Sequence, residues 1–468
     1  MTHPWLCRRV VYPLHERLLA RPTLRYAADM ERSQWLSRAA VEQLQMTKLH
    51  KLLATAARHS PWHAERIRAG GIDLDADRAS VSLDQLRRLP TMTRRDAREN
   101  LERLWWKDAP GGAFKYTTGG SSGQPLIFYF GRARQAADAA GRIRARRWWG
   151  LEVGDREVCL WGAPVELENT DRIKTVRDRL LNQLLLNAFE MSARTMDDYL
   201  DAIQTYRPRC IFGYASSLAL LAARARSQSL RLRLPTLRVV CTTGEPLYSH
   251  QRALLEQVFG TPVASEYGSR DVGFNAHETP QAQLLLASEN VIMEVLDEAG
   301  RPVPVGELGE AVMTGLHSEV QPFIRYRTGD MVRLSNDSCR DGRGLHVLSE
   351  VVGRTTDFVV RSDGTVMHAL AVIYVLRAVG GIAEFKFVQH TLDDAEVLVV
   401  PTADWGEHSS AEILKGLKAR LGKSSRITVR LVDEIAPEKS GKYRYVVSHV
   451  PPRTVVDGSA ELTQVVHG

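Results

Sequence analysis

The sequence predicts an α/β protein: a large N-terminal domain of parallel and mixed sheets flanked by helices, then a small α+β C-terminal domain. Three observations carry this. Between about residues 155 and 266, short apolar runs alternate with helix-length amphipathic segments. From about residue 285 the chain turns strand-rich, and a fresh compact set of helices and strands opens near Gly353. Strands alternating with helices build parallel sheets covered by helices on their faces. Ligands of such sheets sit in the loops beyond the carboxyl ends of the strands.

The elements follow in order. Residues 1–60 read as helical, with Leu44, Leu49, Leu52, Leu53 and Ala56 at roughly helical spacing. Residues 94–104 and 132–149 read as helices too. The second of these carries Arg142, Arg144, Arg146 and Arg147 before Trp148 and Trp149, and reads as a solvated basic face with a tryptophan anchor. The alternating region gives strand Val158–Trp161, helix 172–189, strand Cys210–Gly213, helix 216–229, strand Leu237–Thr242, helix 249–258 and strand Val263–Glu266. Strand-rich segments follow at Leu285–Asp297, Glu310–Thr314, Asp330–Leu334 and Leu345–Val352. The last set is helix 369–379, strands 384–389 and 395–400, helix 410–421 and strand 426–432. The expected division is 1–352, 353–450 and a tail at 451–468.

Composition bounds the function classes. With 468 residues, 44% hydrophobic and 25% charged, the chain can bury a sizeable core, and wholesale disorder is excluded. A net charge of +7 over this length is weak grounds for nucleic acid, and no nucleic-acid module is recognisable. Cys7, Cys159, Cys210, Cys241 and Cys339 are scattered, without zinc-ligand spacing, and read as reduced thiols of a cytoplasmic protein. No apolar run approaches a membrane span, and the basic N-terminus (Arg8, Arg9) lacks a signal peptide's apolar stretch.

Four short motifs carry the chemistry. Tyr116–Pro125, YTTGGSSGQP, packs glycines and hydroxyls into one loop before the apolar run Leu126–Phe130. Glycines let backbone N–H groups approach an anion, and hydroxyls add donors. The Gly-Lys-Ser/Thr ending of a Walker loop is missing, and a plain surface turn is the alternative. Glu266–Gly273, EYGSRDVG, offers an aromatic ring, a glycine, an arginine and a carboxylate after a strand. Tyr326–Asp330, YRTGD, sets a carboxylate after a glycine turn, and Pro437–Lys442, PEKSGK, sets a lysine on another. Singly, each of these last three is more often an ordinary turn.

In their order along the chain, with Gly353-Arg354-Thr355-Thr356-Asp357 between the last two, these motifs resemble the adenylate-forming superfamily of acyl-CoA synthetases, peptide-synthetase adenylation domains and luciferases. The similarity runs from about Gln45 to Val447 and is nearest to phenylacetate–CoA ligases and their relatives associated with capsular polysaccharide biosynthesis. TTGEPLY at 242–248 and the stretch from Gln43 to Gly71 share it. The resemblance implies that Thr118, Gly119, Gly120, Ser121, Ser122 and Gly123 cradle the phosphates of ATP. It implies that Thr243, Gly244, Glu245 and Pro246 line the adenine, that Tyr267 stacks on it and that Gly268 permits close approach. Asp330 would take the ribose hydroxyls and Arg354 would touch the nucleotide beside the hinge. Lys442 would bridge the attacking carboxylate and the α-phosphate as a point charge. Trp161, Phe212, Gly213, Tyr214, Ala215 and Cys241 are candidate walls of the acid pocket, several of them equally readable as core.

This chain departs from the family's pattern in places. Asp271 stands where a magnesium-binding glutamate is usual, Arg270 replaces a serine or threonine and would reach phosphate, and Leu126 replaces a lysine. Thr356 sits where the hinge of the mobile C-terminal domain often has aspartate. His277 and Glu278 lack cysteines beside them, so no zinc is expected, and His277 reads as a surface or internally satisfied histidine. The implied activity is formation of an acyl-adenylate from a carboxylic acid and ATP with Mg2+, then acyl transfer to CoA or a pantetheine thiol. The rivals are an amide-forming ligase acting on an amine, perhaps a sugar amine, and a non-catalytic nucleotide-binding scaffold. Peripheral association with glycan-assembly proteins fits each of these.

Overall fold

The structure is a computed structural model. It describes residues 2–74, 81–117, 126–162, 176–188, 191–232, 234–297, 299–351, 358–435 and 446–450.

The first strands, β1 (Phe114–Thr117) and β2 (Ile127–Phe130), form an antiparallel hairpin with Thr117 opposite Ile127. This places the two ends of the hydroxyl-glycine loop side by side. An eleven-stranded sheet forms the body. Its strands are β3 (Glu157–Trp161), β4 (Gln183–Asn187), β5 (Cys210–Tyr214), β6 (Val239–Thr243), β7 (Val263–Ser269), β8 (Gly273–Glu278), β9 (Leu284–Leu286), β10 (Val291–Leu296), β11 (Gly309–Gly315), β12 (Tyr326–Ser335) and β13 (Val347–Val351). Their order is β10-β11-β12-β13-β9-β8-β7-β6-β5-β3-β4. The run from β4 through β3, β5 and β6 to β7 is parallel, and every pairing from β7 onward to β10 is antiparallel. The sheet therefore changes character at β7, whose strand is shared by both halves.

The parallel half follows from its sequence. Helices Ala193–Tyr206, Ala215–Ser227 and Ser249–Phe259 supply the crossovers; the last two match the expected helices 216–229 and 249–258, whereas Ala193–Tyr206 was not expected. Their apolar faces and the strands share one core with Val158, Leu160, Ile211, Leu218, Leu221, Val240 and Leu255. The last strands, β14 (Phe358–Val360), β15 (Val366–His368), β16 (Ile382–Gln389), β17 (Asp394–Pro401), β18 (Arg426–Leu431) and β19 (Val446–Ser448), form a two-stranded and a four-stranded sheet. The four-stranded sheet, ordered β18-β17-β16-β19, carries helices Leu370–Ala378 and Glu407–Leu421.

Two readings are corrected. Residues 183–187, expected within a helix, are strand β4, paired in parallel with β3 from Glu157↔Gln183 to Trp161↔Asn187. The helical stretch stops at Leu180, and Asn182 takes a left-handed backbone at φ 57°. Leu184–Leu186 is too short an apolar run to choose between helix and strand, and the open edge of β3 decides it. The basic face of helix Arg132–Trp148 is only partly solvated: Arg142 is exposed and Arg147 half-buried, but Arg144 and Arg146 are buried. Arg144 donates to Glu289 at 2.6 Å with both side chains out of solvent, and Arg146 reaches Glu157 at 3.1 Å and His277 at 3.0 Å. Alanines let helix Thr23–Ser33 press on one side, through Ala27, Met30, Ala137 and Ala140. On another side Gly141 admits Phe274, whose ring stands 2.7 Å from where a Cβ would be.

Candidate active site

The site is built where the parallel half of the sheet meets the antiparallel half. At the carboxyl end of β7, Tyr267 is followed by a register shift to Gly268, and the chain turns through Arg270 and Asp271 into β8. Gly273 closes this turn at φ 107°, where a Cβ would lie 2.2 Å from Arg134 Nη2 and 2.3 Å from Asp138 Oδ1. Only glycine fits there. Arg134 and Asp138, themselves paired at 2.9 Å, hold the turn: Arg134 donates to the Asp271 carbonyl at 3.3 Å and Asp138 accepts from Phe274 N–H at 3.2 Å.

Strand β12 supplies the opposing carboxylate. Tyr267 Oη donates to Asp330 at 2.9 Å, and Tyr326 Oη donates to Asp271 at 2.8 Å. The two motifs are thus cross-tied, each tyrosine holding the other motif's carboxylate. Burial, with Asp330 and Asp271 close by, pushes the Tyr267 phenol well above its usual range, so it stays a donor. Gly329, at φ 75°, donates its N–H to Glu310 at 3.0 Å, and Asp330 N–H reaches the Thr328 hydroxyl at 3.2 Å.

Arg270 is exposed and spans three elements. It donates to the Thr117 carbonyl at 3.2 Å, at the mouth of the hydroxyl-glycine loop, and to Tyr374 Oη at 3.2 Å on helix Leu370–Ala378. On the other flank, Gly244 leaves β6 at φ 79° with room only for the Tyr214 ring, 3.2 Å from a notional Cβ. Glu245 accepts from Ser216 N–H at 2.9 Å and from its hydroxyl, an acceptor on the first turn of helix Ala215–Ser227. Pro246 is half-buried beside it. Trp161 stacks on Tyr214 at 4.2 Å and lies 5.5 Å from Phe212. A Cβ at Gly213 would meet the Leu160 carbonyl at 2.6 Å. Ala215 and Cys241 are fully buried.

Under this surface lies a charged layer. Thr243 Oγ1 reaches Glu266 at 3.4 Å, and Glu266 pairs with Arg142 at 3.2 Å and Arg146 at 3.8 Å. Burial alone would raise the Glu266 carboxyl, but the two guanidiniums hold it below the usual range. His277 is buried and satisfied by Arg146 and the Glu278 carbonyl, so of its two expected readings the internal one holds.

Comparison with known proteins gives two family matches. Residues 186–318 match the AMP-binding enzyme family and residues 359–449 match the CapK C-terminal domain. Protein CapK of Staphylococcus aureus is 21% identical over 412 residues, covering 87% of this chain and 89% of the relative. A phenylacetate-coenzyme A ligase of Thermus thermophilus is 22% identical over 453 residues, covering 88% and 97%. Along most of its length the chain is similar to adenylate-forming enzymes of the phenylacetate–CoA ligase-like branch. The fold agrees: a 2-hydroxyisobutyryl-CoA ligase solved with 2-HIB-AMP and CoA has a TM-score of 0.58 at 22% identity, over 90% of this chain and 92% of that one.

Of the residues expected to serve this adenylate-forming enzyme, the fold gathers Tyr267, Gly268, Arg270, Asp271 and Asp330 on one side of the switch strand. Thr243 to Pro246, Trp161 and Tyr214 lie on the other. Thr118–Gly123, Arg354 and Lys442 lie outside the described residues. Sequence reasoning missed Tyr326, Arg134, Ser216 and Tyr374. Tyr326 was inside a recognised motif, but a tyrosine opening a strand reads as core, and 1% exposure agrees with that. Tyr374 sits in the apolar stretch LAVIYVLRA, where nothing local marks its hydroxyl.

Proposed function

We propose that this enzyme activates a carboxylic acid with ATP and transfers the acyl group to CoA or a pantetheine thiol. The observation that carries it is the cross-tie of Tyr267 to Asp330 and Tyr326 to Asp271, beside the Arg270 contact at Thr117. This sets two oriented carboxylates and a cation at the switch point of the sheet, next to a loop of glycines and hydroxyls. In the proposed reaction an oxygen of the acid attacks the α-phosphorus of ATP, the bond to the β-phosphate bridging oxygen breaks, and pyrophosphate leaves. The acceptor sulfur then attacks the acyl carbonyl, loses its proton, and AMP leaves. Arg270 and Lys442 would offset the negative charge that gathers when carboxylate and phosphate approach. The donor set suits Mg2+ held mainly by nucleotide phosphates: Asp271 offers one oriented carboxylate, and among the described residues no three His, Cys, Asp or Glu side chains form a cage. Such an ion would neutralise phosphate charge. The division into residues 1–352 and 353–450, with Lys442 on a mobile second unit, is part of the same proposal.

The test has two stages. ATP–pyrophosphate exchange with a panel of carboxylic acids should show exchange with at least one; none with any acid would favour a nucleotide-binding scaffold. With the responsive acid, product formation should require CoA or pantetheine. Product formed with amines and no thiol would establish the amide-forming reading, which the likeness to protein CapK keeps open for a sugar amine in polysaccharide biosynthesis. Lys442→Ala should abolish exchange while ATP binding survives; exchange near wild type would remove Lys442 from the mechanism.

A further inference from the structure

The N-terminal helix presents a face that the active site does not use. Pro4–Leu6, a π-helical turn at Cys7–Val11 and Tyr12–Leu18 run on as one helical rod. Pro13 has no N–H to give the preceding turn, and the wider turn absorbs that loss. One side of the rod is fixed to the body. Cys7 packs on Gly154, where a Cβ would stand 2.7 Å from the cysteine's own. Thr2 exchanges hydrogen bonds of 3.0 and 2.7 Å with Asn182, and Arg8 donates to the Val153 carbonyl at 3.2 Å.

The other side is apolar and open. Trp5, Leu6, Val10, Leu14 and Leu18 are all exposed, Trp5 by 62% and Leu18 by 77%. Leu6, Val10, Leu14 and Leu18 recur every four residues, one stripe along the rod. Leu180 and Leu185, on either side of the anchoring Asn182, are exposed as well. Scattered surface leucines need no explanation, but a row of them on a rigid helix does.

Charge says what covers it. The first 28 residues hold five arginines, Arg8, Arg9, Arg17, Arg21 and Arg25, and one carboxylate, Glu16. Glu16 is buried and bound by Arg21, Thr23 and His15, so it does not offset the surface. Arg9, Arg17 and Arg25 remain exposed. Along the rod itself, apolar residues with a tryptophan are rimmed by Arg9 and Arg17 without an exposed carboxylate; the first exposed one is Asp29, on the next helix. This matches a surface that is apolar inside and anionic at its rim. Among the described residues no helix is long and apolar enough to cross a membrane, so the rod would lie along the interface. We propose that this helix docks the protein on an anionic lipid bilayer, with Trp5, Leu6, Val10, Leu14 and Leu18 in the acyl boundary and Arg9 and Arg17 at the headgroups.

The experiment is co-sedimentation of the full chain with vesicles of phosphatidylcholine alone or with phosphatidylglycerol added, at low and high salt. The expected result is binding to the anionic vesicles that weakens with salt. Arg9→Ser with Arg17→Ser should lower it roughly 25-fold, at about fivefold per arginine. Leu14→Glu with Leu18→Glu should lower it roughly 100-fold, at about tenfold or more per buried leucine. Both pairs should keep the thermal melt of the parent, since these side chains are already in water. Equal binding to both vesicle types, or binding that neither pair reduces, would overturn the proposal. So would a leucine pair that changes the oligomeric state in lipid-free solution without vesicle binding by the parent, because a second copy would then cover the face.

Discussion

Arg325 carries backbone strain next to the site. Its φ of 53° lies in the left-handed region, which costs a non-glycine residue about 1–2 kcal/mol. The strain persists because the side chain is locked: it forks onto Glu294 at 2.9 and 3.0 Å and donates to the Arg87 carbonyl at 2.9 Å. Thr314 accepts its N–H at 3.0 Å. This fixes where β12 begins and hence where Tyr326 and Asp330 point. Arg325→Met should cost about 3 kcal/mol, because it leaves the buried Glu294 with Arg87 alone, 3.7 Å away. Denaturant midpoints at unchanged m-value measure it; a loss under 1 kcal/mol would mean that β12 is set elsewhere. A second residue titrates against folding. His63 is buried between the Pro322 carbonyl and Arg66, and burial with the nearby guanidinium brings its imidazolium down to about 3. Unfolded, it would take a proton near 6.5, so below that pH the unfolded state binds more protons and stability falls as pH falls. Between pH 7 and 5 this removes about 2 kcal/mol, and the loss levels off only near pH 3. His346, brought down to about 4 by burial and Arg38, adds in the same direction. His63→Gln should flatten the slope by that amount relative to the parent; an unchanged slope would place the titration elsewhere. At this scale the sequence showed Tyr267, Asp271 and Asp330 through their motifs. It could not show Arg325, because a backbone angle leaves no mark on an arginine.

Elements place these residues by close approach more than by propensity. The β7–β8 turn is held because Gly273 leaves the space that Arg134 and Asp138 occupy. Gly273→Ala meets both the positive φ and the displaced ion pair, and should cost about 2–3 kcal/mol. The loss should appear as faster amide exchange at residues 268–274 and as weaker ATP binding, with helix Arg132–Trp148 still protected. Unchanged exchange there would show that the turn yields freely. Strand β7 was legible because its apolar run falls between helix 249–258 and a glycine turn, whereas β8 was not expected as a strand. The burial of helix Arg132–Trp148 was not legible either, since four arginines suggest water unless the carboxylates that meet them are known. For Arg142, Arg144 and Arg146 those carboxylates, Glu266, Glu289 and Glu157, come from 11 to 145 residues away in the chain. The same distance hid β4, whose identity comes from pairing with β3.

Across the whole molecule, one apolar cluster includes residues of the parallel half and of the last sheets, among them Tyr214, Val359 and Phe385. Helix Leu370–Ala378 thus reaches the site, where Tyr374 meets Arg270. An enzyme that adenylates and then transfers needs its small unit in two positions, and a contact made in only one of them biases that equilibrium. Tyr374→Phe removes one exposed hydrogen bond, worth about 1 kcal/mol, and so shifts the balance about fivefold. The two half-reactions should then change in opposite directions, pyrophosphate exchange one way and acyl transfer the other. The hinge stretch Arg354–Asp357 lies outside the described residues, but its chemistry gives the complementary test. Rotation needs φ and ψ free to change at Thr356, and proline fixes φ near −65°. Thr356→Pro should keep pyrophosphate exchange and stop acyl transfer if, as proposed, Lys442 serves adenylation from a second unit that such a lock would hold in place. Measured together, the two variants distinguish rotation from its absence. If Thr356→Pro lowers both half-reactions alike or neither, and Tyr374→Phe moves them in parallel, the small unit stays in place. The acceptor must then reach the acyl-adenylate past Arg270 and Tyr374.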